Sequence, residues 1–296
     1  MLLELPEFDW IPARTVRETC KLLAENGEDT LALAGGTDLF TKMKQRRLVP
    51  RRLIDIKKIP GLDQIRHDER EGLRIGALAT AQAIESSAVI ANRFPAIKQA
   101  ASALGTLQIR NTATLGGNLA NASPSAEFAP PLLALDAAVQ CVSLNAERLV
   151  PLSQFFVAPG KTVLAKDELI TEVRVPNPPP GARAIYLKHS LRKMDVAIAS
   201  AAVFLVLDGN LCVDARIALG AVGPVPFRAP KAEAAIKGQR LAGDQSQGAL
   251  FEEVARLASE ASVPIDDLRA YAGYRIKLVA MLVGKGLERL VVRGRA

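Results

Sequence analysis

Asn177-Pro178-Pro179-Pro180-Gly181 dictates where this chain must break. Three consecutive prolines bring no N–H to a helix or a ladder, and their fixed φ bars them from a helix interior and from a central strand. A connection therefore has to lie here, and the sequence reads as two parts, 1–177 and 182–296. At about 100 to 200 residues per domain, 296 residues suit two globular units. With 49% of residues hydrophobic, there is ample material for their cores.

Local signals fill in the first part. Thr15 to Asn26 has a capping-box spacing at Thr15 and Glu18 and a stop at Gly27, which predicts a helix. Leu31 to Ala34 predicts a strand that runs into a glycine turn and a helix over Leu39 to Arg47, ended by Pro50. Strands are expected over Arg52–Ile56 and Leu73–Leu78, and helices over Thr80–Ser87, Pro95–Leu104 and Glu127–Leu135. Short strands follow over Val139–Ser143 and Arg148–Leu152. Beyond the prolines, Ala184–Leu191 and Ala197–Leu207 read as strands, Asp208-Gly209 as a hairpin turn and Leu211–Leu219 as the returning strand. Helices over Lys231–Lys237, Gly248–Ser259 and Asp266–Arg289 complete an α+β layout.

Charge excludes some function classes. Lys plus Arg number 38 against 31 Asp plus Glu, yet the whole excess of +7 lies between Lys42 and Lys58, where eight basic residues meet one acid, Asp55. Nucleic-acid coats spread basic residues over several elements and interleave aromatics, which are only 4% here. The basic stretch reads as a solvated face, as a dock for an acidic partner or as a local field favouring an anion. The longest nearly apolar run, Val196 to Leu207, is 12 residues, short of the roughly 20 needed to span a bilayer. No signal-like start is seen, and a cytoplasmic location is the expectation. Cys20, Cys141 and Cys212 lack any C-x-x-C spacing and there are two histidines, so no metal site is expected.

Two Gly-Gly turns carry the chemistry: Ala34-Gly35-Gly36-Thr37-Asp38 and Thr114-Leu115-Gly116-Gly117-Asn118. Backbone without side chains lets successive N–H groups approach a phosphate. One such turn is ordinary hairpin or cap material, and neither fits G-x-G-x-x-G or a phosphate loop. The second lies in Gly105 to Ser125, a stretch of Gly, Asn, Thr, Ser and Ala whose only charge is Arg110, which suits backbone lying against a ligand. Asp38, Glu127 and Asp136 could serve as general acid and base, but each has a milder explanation, as a helix-end cap or an acceptor for a ligand hydroxyl, and that is the reading taken.

Five segments in fixed order turn these features into a resemblance. AGGTDL (34–39), IRNTATLGGNLANASPSAE (109–127), DELITEVRVP (167–176), YLKHSLRKMDVAIASAAV (186–203) and ALGAVGPVPFRA (218–229) resemble the FAD-binding medium subunit of the molybdenum hydroxylases, along essentially the whole chain. That group includes xanthine dehydrogenase, carbon monoxide dehydrogenase and 4-hydroxybenzoyl-CoA reductase. The resemblance implies a two-subdomain FAD-binding domain of the vanillyl-alcohol-oxidase (PCMH) type over 1–177, divided at 56/57, followed by an α+β C-terminal domain over 182–296. FAD would lie extended between the first two subdomains.

Carried over position by position, the resemblance places Ala32, Leu33, Ala34, Gly35, Gly36, Thr37, Asp38 and Leu39 with Thr114, Leu115, Gly116, Gly117 and Asn118 around the diphosphate. It places Glu127 on the adenosine side, Leu104 and Ile170 near the cofactor, and Lys188 near the flavin ring, where a cation stabilises charge on the reduced isoalloxazine. Two positions depart from the pattern: Glu127 is one methylene longer than the commoner aspartate, and Leu104 replaces an aromatic. The resemblance further implies a large molybdenum-cofactor subunit and a small subunit with [2Fe-2S] clusters as partners, in a dimer of heterotrimers. The cysteine-bearing insertion of the 4-hydroxybenzoyl-CoA branch is missing, so FAD alone is expected on this chain. A free-standing flavoenzyme of the same fold, or a binding module acting through Lys42–Lys58, are the alternatives.

Overall fold

The computed structural model describes residues 4–241 and 245–292. Residues 1–3, 242–244 and 293–296, which the expected subdomain 1–56 and C-terminal domain 182–296 include, lie outside the described residues. Among the described residues, three sheets of three to five strands and one two-stranded hairpin organise the chain.

The first is a three-stranded parallel sheet, order β1-β3-β2, made by β1 (Asp9–Pro12), β2 (Thr30–Leu33) and β3 (Arg52–Asp55) with α1 (Val16–Asn26) and α2 (Leu39–Lys44) as crossovers. The Thr15 hydroxyl caps α1 by accepting the Glu18 N–H at 3.1 Å. The reciprocal bond of the box goes one residue early, since the Glu18 carboxylate accepts from the Arg14 N–H at 2.7 Å. The α2 helix is shorter than its composition suggests. It stops at Lys44, and Arg46 takes a left-handed φ of 56°, so the break comes before Pro50.

The middle part contains β4 (Ile65–Asp68), β5 (Gly72–Gly76), α3 (Ala81–Ser86), α4 (Ala88–Arg93), α5 (Pro95–Ala103), α6 (Leu107–Arg110), α7 (Leu115–Ala120), α8 (Ala129–Ala134), β6 (Ala138–Val142), β7 (Glu147–Pro151), the small hairpin β8 (Phe156–Ala158) and β9 (Lys161–Thr162), and β10 (Leu169–Val175). Its five-stranded sheet runs β4-β5-β10-β6-β7 with β10 at the centre. Arg74 and Arg174 face each other across β5 and β10, a like-charge pair that would destabilise the sheet. The Glu172 carboxylate bonds both guanidinium groups at 2.7 Å and removes that cost. Within Gly105–Ser125, two short helices replace plain coil, each capped by a threonine, Thr106 or Thr114.

The last part is an antiparallel sheet of β11 (Ala182–His189), β12 (Ala199–Asp208), β13 (Leu211–Gly220) and β14 (Phe227–Arg228), backed by α9 (Pro230–Ile236), α10 (Gln245–Glu260) and α11 (Ala272–Val292). The hairpin turn is one residue later than expected, because Asp208 pairs with Leu211 and leaves Gly209-Asn210 as the loop. The proline run is indeed a connection, and the Asn177 amide fixes its start by donating to the Asp68 and Glu69 carbonyls at 2.9 Å. It does not separate two cores, however. One face of the last sheet packs on α9–α11, while Tyr186, Ala202, Phe204, Val206 and Ala218 belong to the core of the middle part.

The α11 helix starts at Ala272, six residues after the expected Asp266. The cause is competition by aspartate side chains for backbone N–H groups. Asp266 accepts from the Ala272 N–H, and Asp267 accepts from the Arg269 and Ala270 N–H groups. Asp267 also pairs at 2.6 Å with the buried Arg275, which donates to the Ile198 and Ala221 carbonyls. Burial works to raise the Asp267 carboxyl, but the bonds from Arg269, Ala270 and Arg275 outweigh it and hold the group well below its ordinary 3.8. A depressed folded value gives stability that is full above the unfolded value and fades as pH falls through the folded one. Asp267→Asn is therefore expected to cost about 2 kcal/mol at neutral pH. The gap to wild type should close as pH drops below about 4; unfolding midpoints measured against pH check this, and a gap constant with pH would refute it.

Candidate functional site

Both glycine turns open onto one cleft of about 620 Å³, within the range of cofactor sites. Its walls come from the first sheet and α2, from Ala77-Leu78, from the segment between Leu104 and Glu127, and from Leu164–Ile170, so it lies between residues of 1–56 and of 57–177. Met194, Asp195 and Val196 reach it from the last part of the chain. Of the residues singled out in the sequence, Ala32, Ala34, Gly35, Gly36, Thr37, Asp38, Leu39, Leu104, Thr114, Gly116, Gly117, Asn118, Glu127 and Ile170 line it. Leu33 and Leu115 do not: their side chains are buried in the apolar clusters beneath the two turns.

The two turns differ in what they offer. Among the described residues, the N–H groups of Gly35, Gly36, Thr37, Asp38 and Leu39 meet no acceptor. Five consecutive unpaired donors along a cleft wall form an anion-binding concavity. Gly36 is needed for its φ of 73°, and a Cβ on Gly35 would lie 2.0 Å from the Thr112 carbonyl oxygen. In the second turn the donors are already used. The Leu115 and Gly116 N–H groups donate to the Ala79 and Ala77 carbonyls at 3.0 and 2.8 Å, and the Gly117 and Asn118 N–H groups to the Thr114 hydroxyl and carbonyl. Gly116 and Gly117 supply room, not donors.

Glu127 and Lys188 come together with Tyr186. The Lys188 ammonium lies 2.6 Å from Glu127 Oε1 and donates to the Ala103 carbonyl at 2.8 Å, and the Tyr186 hydroxyl donates to Glu127 Oε2 at 2.7 Å. Both charged side chains are nearly buried, at 6% and 7% exposure. Burial pushes the Glu127 carboxyl up, against the pull of Lys188 and Tyr186. Burial, then the Glu127 charge, raises the Tyr186 hydroxyl well above its usual value. Two groups 2.6 Å apart cannot sit at opposite ends of an extended dinucleotide, so adenosine side for Glu127 and ring side for Lys188 do not both hold. The paired carboxylate also cancels most of the field that a lone Lys188 would place on a ring. Lys188 itself lies behind the wall, with Glu127 as its face to the cleft.

Arg110 steadies the loop. It pairs with Glu85 at 2.9 Å and donates to the Gly105 carbonyl at 3.2 Å, which fixes the Leu104-Gly105 corner of the cleft. Sequence reasoning missed Lys42, Asn121, Leu164, Ala165 and Lys166 in the walls, and missed Tyr186 as the partner of Glu127. Leu164–Lys166 carry no local signal. Lys42 was visible only as one of eight basic residues.

Comparison with known proteins settles the family. The model of the FAD binding domain in molybdopterin dehydrogenase matches residues 6–178, and that of the CO dehydrogenase flavoprotein C-terminal domain matches 184–290. The chain belongs to this flavoprotein family. It is 34% identical to the 6-hydroxypseudooxynicotine dehydrogenase complex subunit alpha of Paenarthrobacter nicotinovorans, over 98% of this chain and 96% of that protein. It is 31% identical to the carbon monoxide dehydrogenase medium chain of Afipia carboxidovorans, over 97% and 98%. In three dimensions it matches a chain of the carbon monoxide dehydrogenase of Hydrogenophaga pseudoflava with a TM-score of 0.93 and 31% identity, covering 99% of this chain and 100% of that one. The fold is thus the two-domain α+β FAD-binding fold of these flavoproteins, and this chain is an oxidoreductase subunit with FAD as its cofactor. The unpaired donors of Gly35–Leu39 and the size of the cleft fit that cofactor. Among the described residues no helix is long and apolar enough to cross a membrane, and no group of His, Cys, Asp or Glu could hold a metal ion.

Proposed function

We propose that this chain is the FAD-carrying electron-transfer subunit of a heteromeric molybdenum hydroxylase in the cytoplasm. A large molybdenum-cofactor subunit would oxidise the substrate and a small subunit with [2Fe-2S] clusters would relay electrons to the flavin here, in a dimer of heterotrimers. The single observation carrying the reading is the cleft in which five unpaired backbone donors face a wall of small residues between 1–56 and 57–177. The relatives support the partners: one is a subunit of a dehydrogenase complex and another a medium chain. In this reading 1–177 is the PCMH-type FAD domain, divided at 56/57, and 182–296 the C-terminal domain.

Bound FAD supplies the chemistry, accepting electrons and releasing them to an acceptor. The chain's own residues bind and orient. The N–H groups of Gly35, Gly36, Thr37, Asp38 and Leu39 hold the diphosphate oxygens. Gly116 and Gly117, with Ala32, Ala34, Thr114 and Asn118, let the ligand backbone lie close. Leu104, Ile170 and Leu78 exclude water from the cleft, which strengthens every polar contact inside it. Glu127, fixed in place by its bonds from Lys188 and Tyr186, presents an acceptor for a ligand hydroxyl.

Co-expression of the chain with the large and small subunits of its complex tests this. The expected result is a complex with one FAD per copy of this chain, whose flavin absorbance bleaches on addition of substrate only when both partners are present. A chain that purifies without flavin from the complete complex, or that oxidises a substrate alone, would overturn it.

A further inference from the structure

We propose that Lys42 is a cationic ligand of the cofactor diphosphate, held in waiting by Asn121. The inference rests on the FAD reading above and adds a contact to it. Lys42 lies on α2, one turn beyond Asp38, and lines the cleft. Its ammonium bonds the side-chain oxygen of Asn121, the residue that ends α7 and also lines the cleft. That bond therefore runs from the helix after the first glycine turn to the end of the helix containing the second, across the space that a ligand backbone would take. An ammonium has three protons, and Asn121 takes one.

Two lysines line the cleft, Lys42 and Lys166, and Lys42 is the one on the helix that follows the first glycine turn. Four acids line the cleft: Asp38, Glu127, Glu168 and Asp195. Glu127 is neutralised by Lys188 and Glu168 by Arg148 at 2.6 Å, while the Asp195 carboxylate accepts the Arg192 N–H at 3.2 Å. Asp38 makes no side-chain cap bond, though it sits among the unpaired donors. Burial pushes its carboxyl up and the Lys42 charge draws it back. A diphosphate seated on the donors of Gly35–Leu39 would meet that carboxylate with Lys42 as the nearby cation against it. The flexible four-carbon stem allows the ammonium to leave Asn121 for a phosphate oxygen, an exchange of a neutral acceptor for a charged and stronger one.

The test uses the full chain freed of flavin and titrated with FAD and with riboflavin, which has the ring and no phosphate. Wild type, Lys42→Met and Lys42→Arg are compared at low and high salt, with thermal unfolding as the fold control. Expected is a loss of roughly tenfold or more in FAD affinity for Lys42→Met at low salt. That loss should shrink at high salt, leave riboflavin binding unchanged and be largely restored by Lys42→Arg. Equal FAD affinity of Lys42→Met and wild type, or an equal loss for FAD and riboflavin, would overturn the contact. Failure of wild type to take FAD at all would overturn the cofactor reading and the contact together.

Discussion

Gly117→Val is expected to give a folded chain that retains no flavin, whereas Gly116→Val is expected to fold poorly. The two glycines are neighbours on the same short helix, and both line the cleft. A Cβ on Gly117 meets one atom within 4 Å, the Thr114 hydroxyl at 2.9 Å, so the rest of a larger side chain enters open cleft space. The hydroxyl can shift by a few tenths of an ångström. The helix tolerates the change too, since glycine is itself a worse helix residue than valine. The two methyl groups then occupy the room in which the ligand backbone must lie. A loss of more than about 100-fold in FAD affinity, roughly 2.7 kcal/mol, is the expected size.

At Gly116 the added Cβ lies 2.7 Å from the Ala77 Cβ and 2.9 Å from the Ala77 oxygen, the same oxygen that accepts the Gly116 N–H. Neither is the far end of a flexible side chain. Overpacking of this kind costs about 1 to 3 kcal/mol or more, spent on the fold before any ligand arrives. Flavin absorbance per chain, read beside circular dichroism and the unfolding midpoint, separates the two outcomes. Wild-type flavin content in folded Gly117→Val would sink the placement of the cofactor.

That contrast shows where sequence reading stops. Features set by neighbours in sequence were legible: Thr15 and Thr80 cap the expected helices, Gly27 ends the first of them, and the last sheet shows its alternating hairpin. The cleft residues of the two glycine turns were legible as well, through their company in the motif set. Features set by distant partners were not. The Gly116 and Leu115 donors are silenced by Ala77 and Ala79, which lie on another element. The central strand β10 carries Glu172 and Arg174 amid its apolar positions, and those charges make sense only once Arg74 is placed beside them. Lys188 looked like an exposed strand lysine in isolation, and its burial depends on a carboxylate far away in the chain.

Breaking the Glu127–Lys188 pair is expected to be the largest stability effect at the site, and to be asymmetric. Glu127→Leu leaves the Lys188 ammonium buried with the Ala103 carbonyl as its acceptor, a loss of about 3 to 5 kcal/mol. Lys188→Met should cost less, because burial already pushes the Glu127 carboxyl up and without the lysine it can take a proton and become neutral. A carboxyl whose folded value is raised above its unfolded one gives stability that is full below the unfolded value and lost as pH rises through the folded value. The deficit of Lys188→Met should therefore grow from mildly acid to neutral and alkaline pH. The double variant Glu127→Leu/Lys188→Met buries no charge, and its remaining cost is the Glu127 acceptor that the Tyr186 hydroxyl loses. It should lie within about 1 to 2 kcal/mol of wild type, so the coupling between the two positions exceeds either difference from it. Urea unfolding of the four proteins at several pH values measures this. Additive losses, or a Lys188→Met deficit that does not change with pH, would show that the pair does not behave as one buried unit.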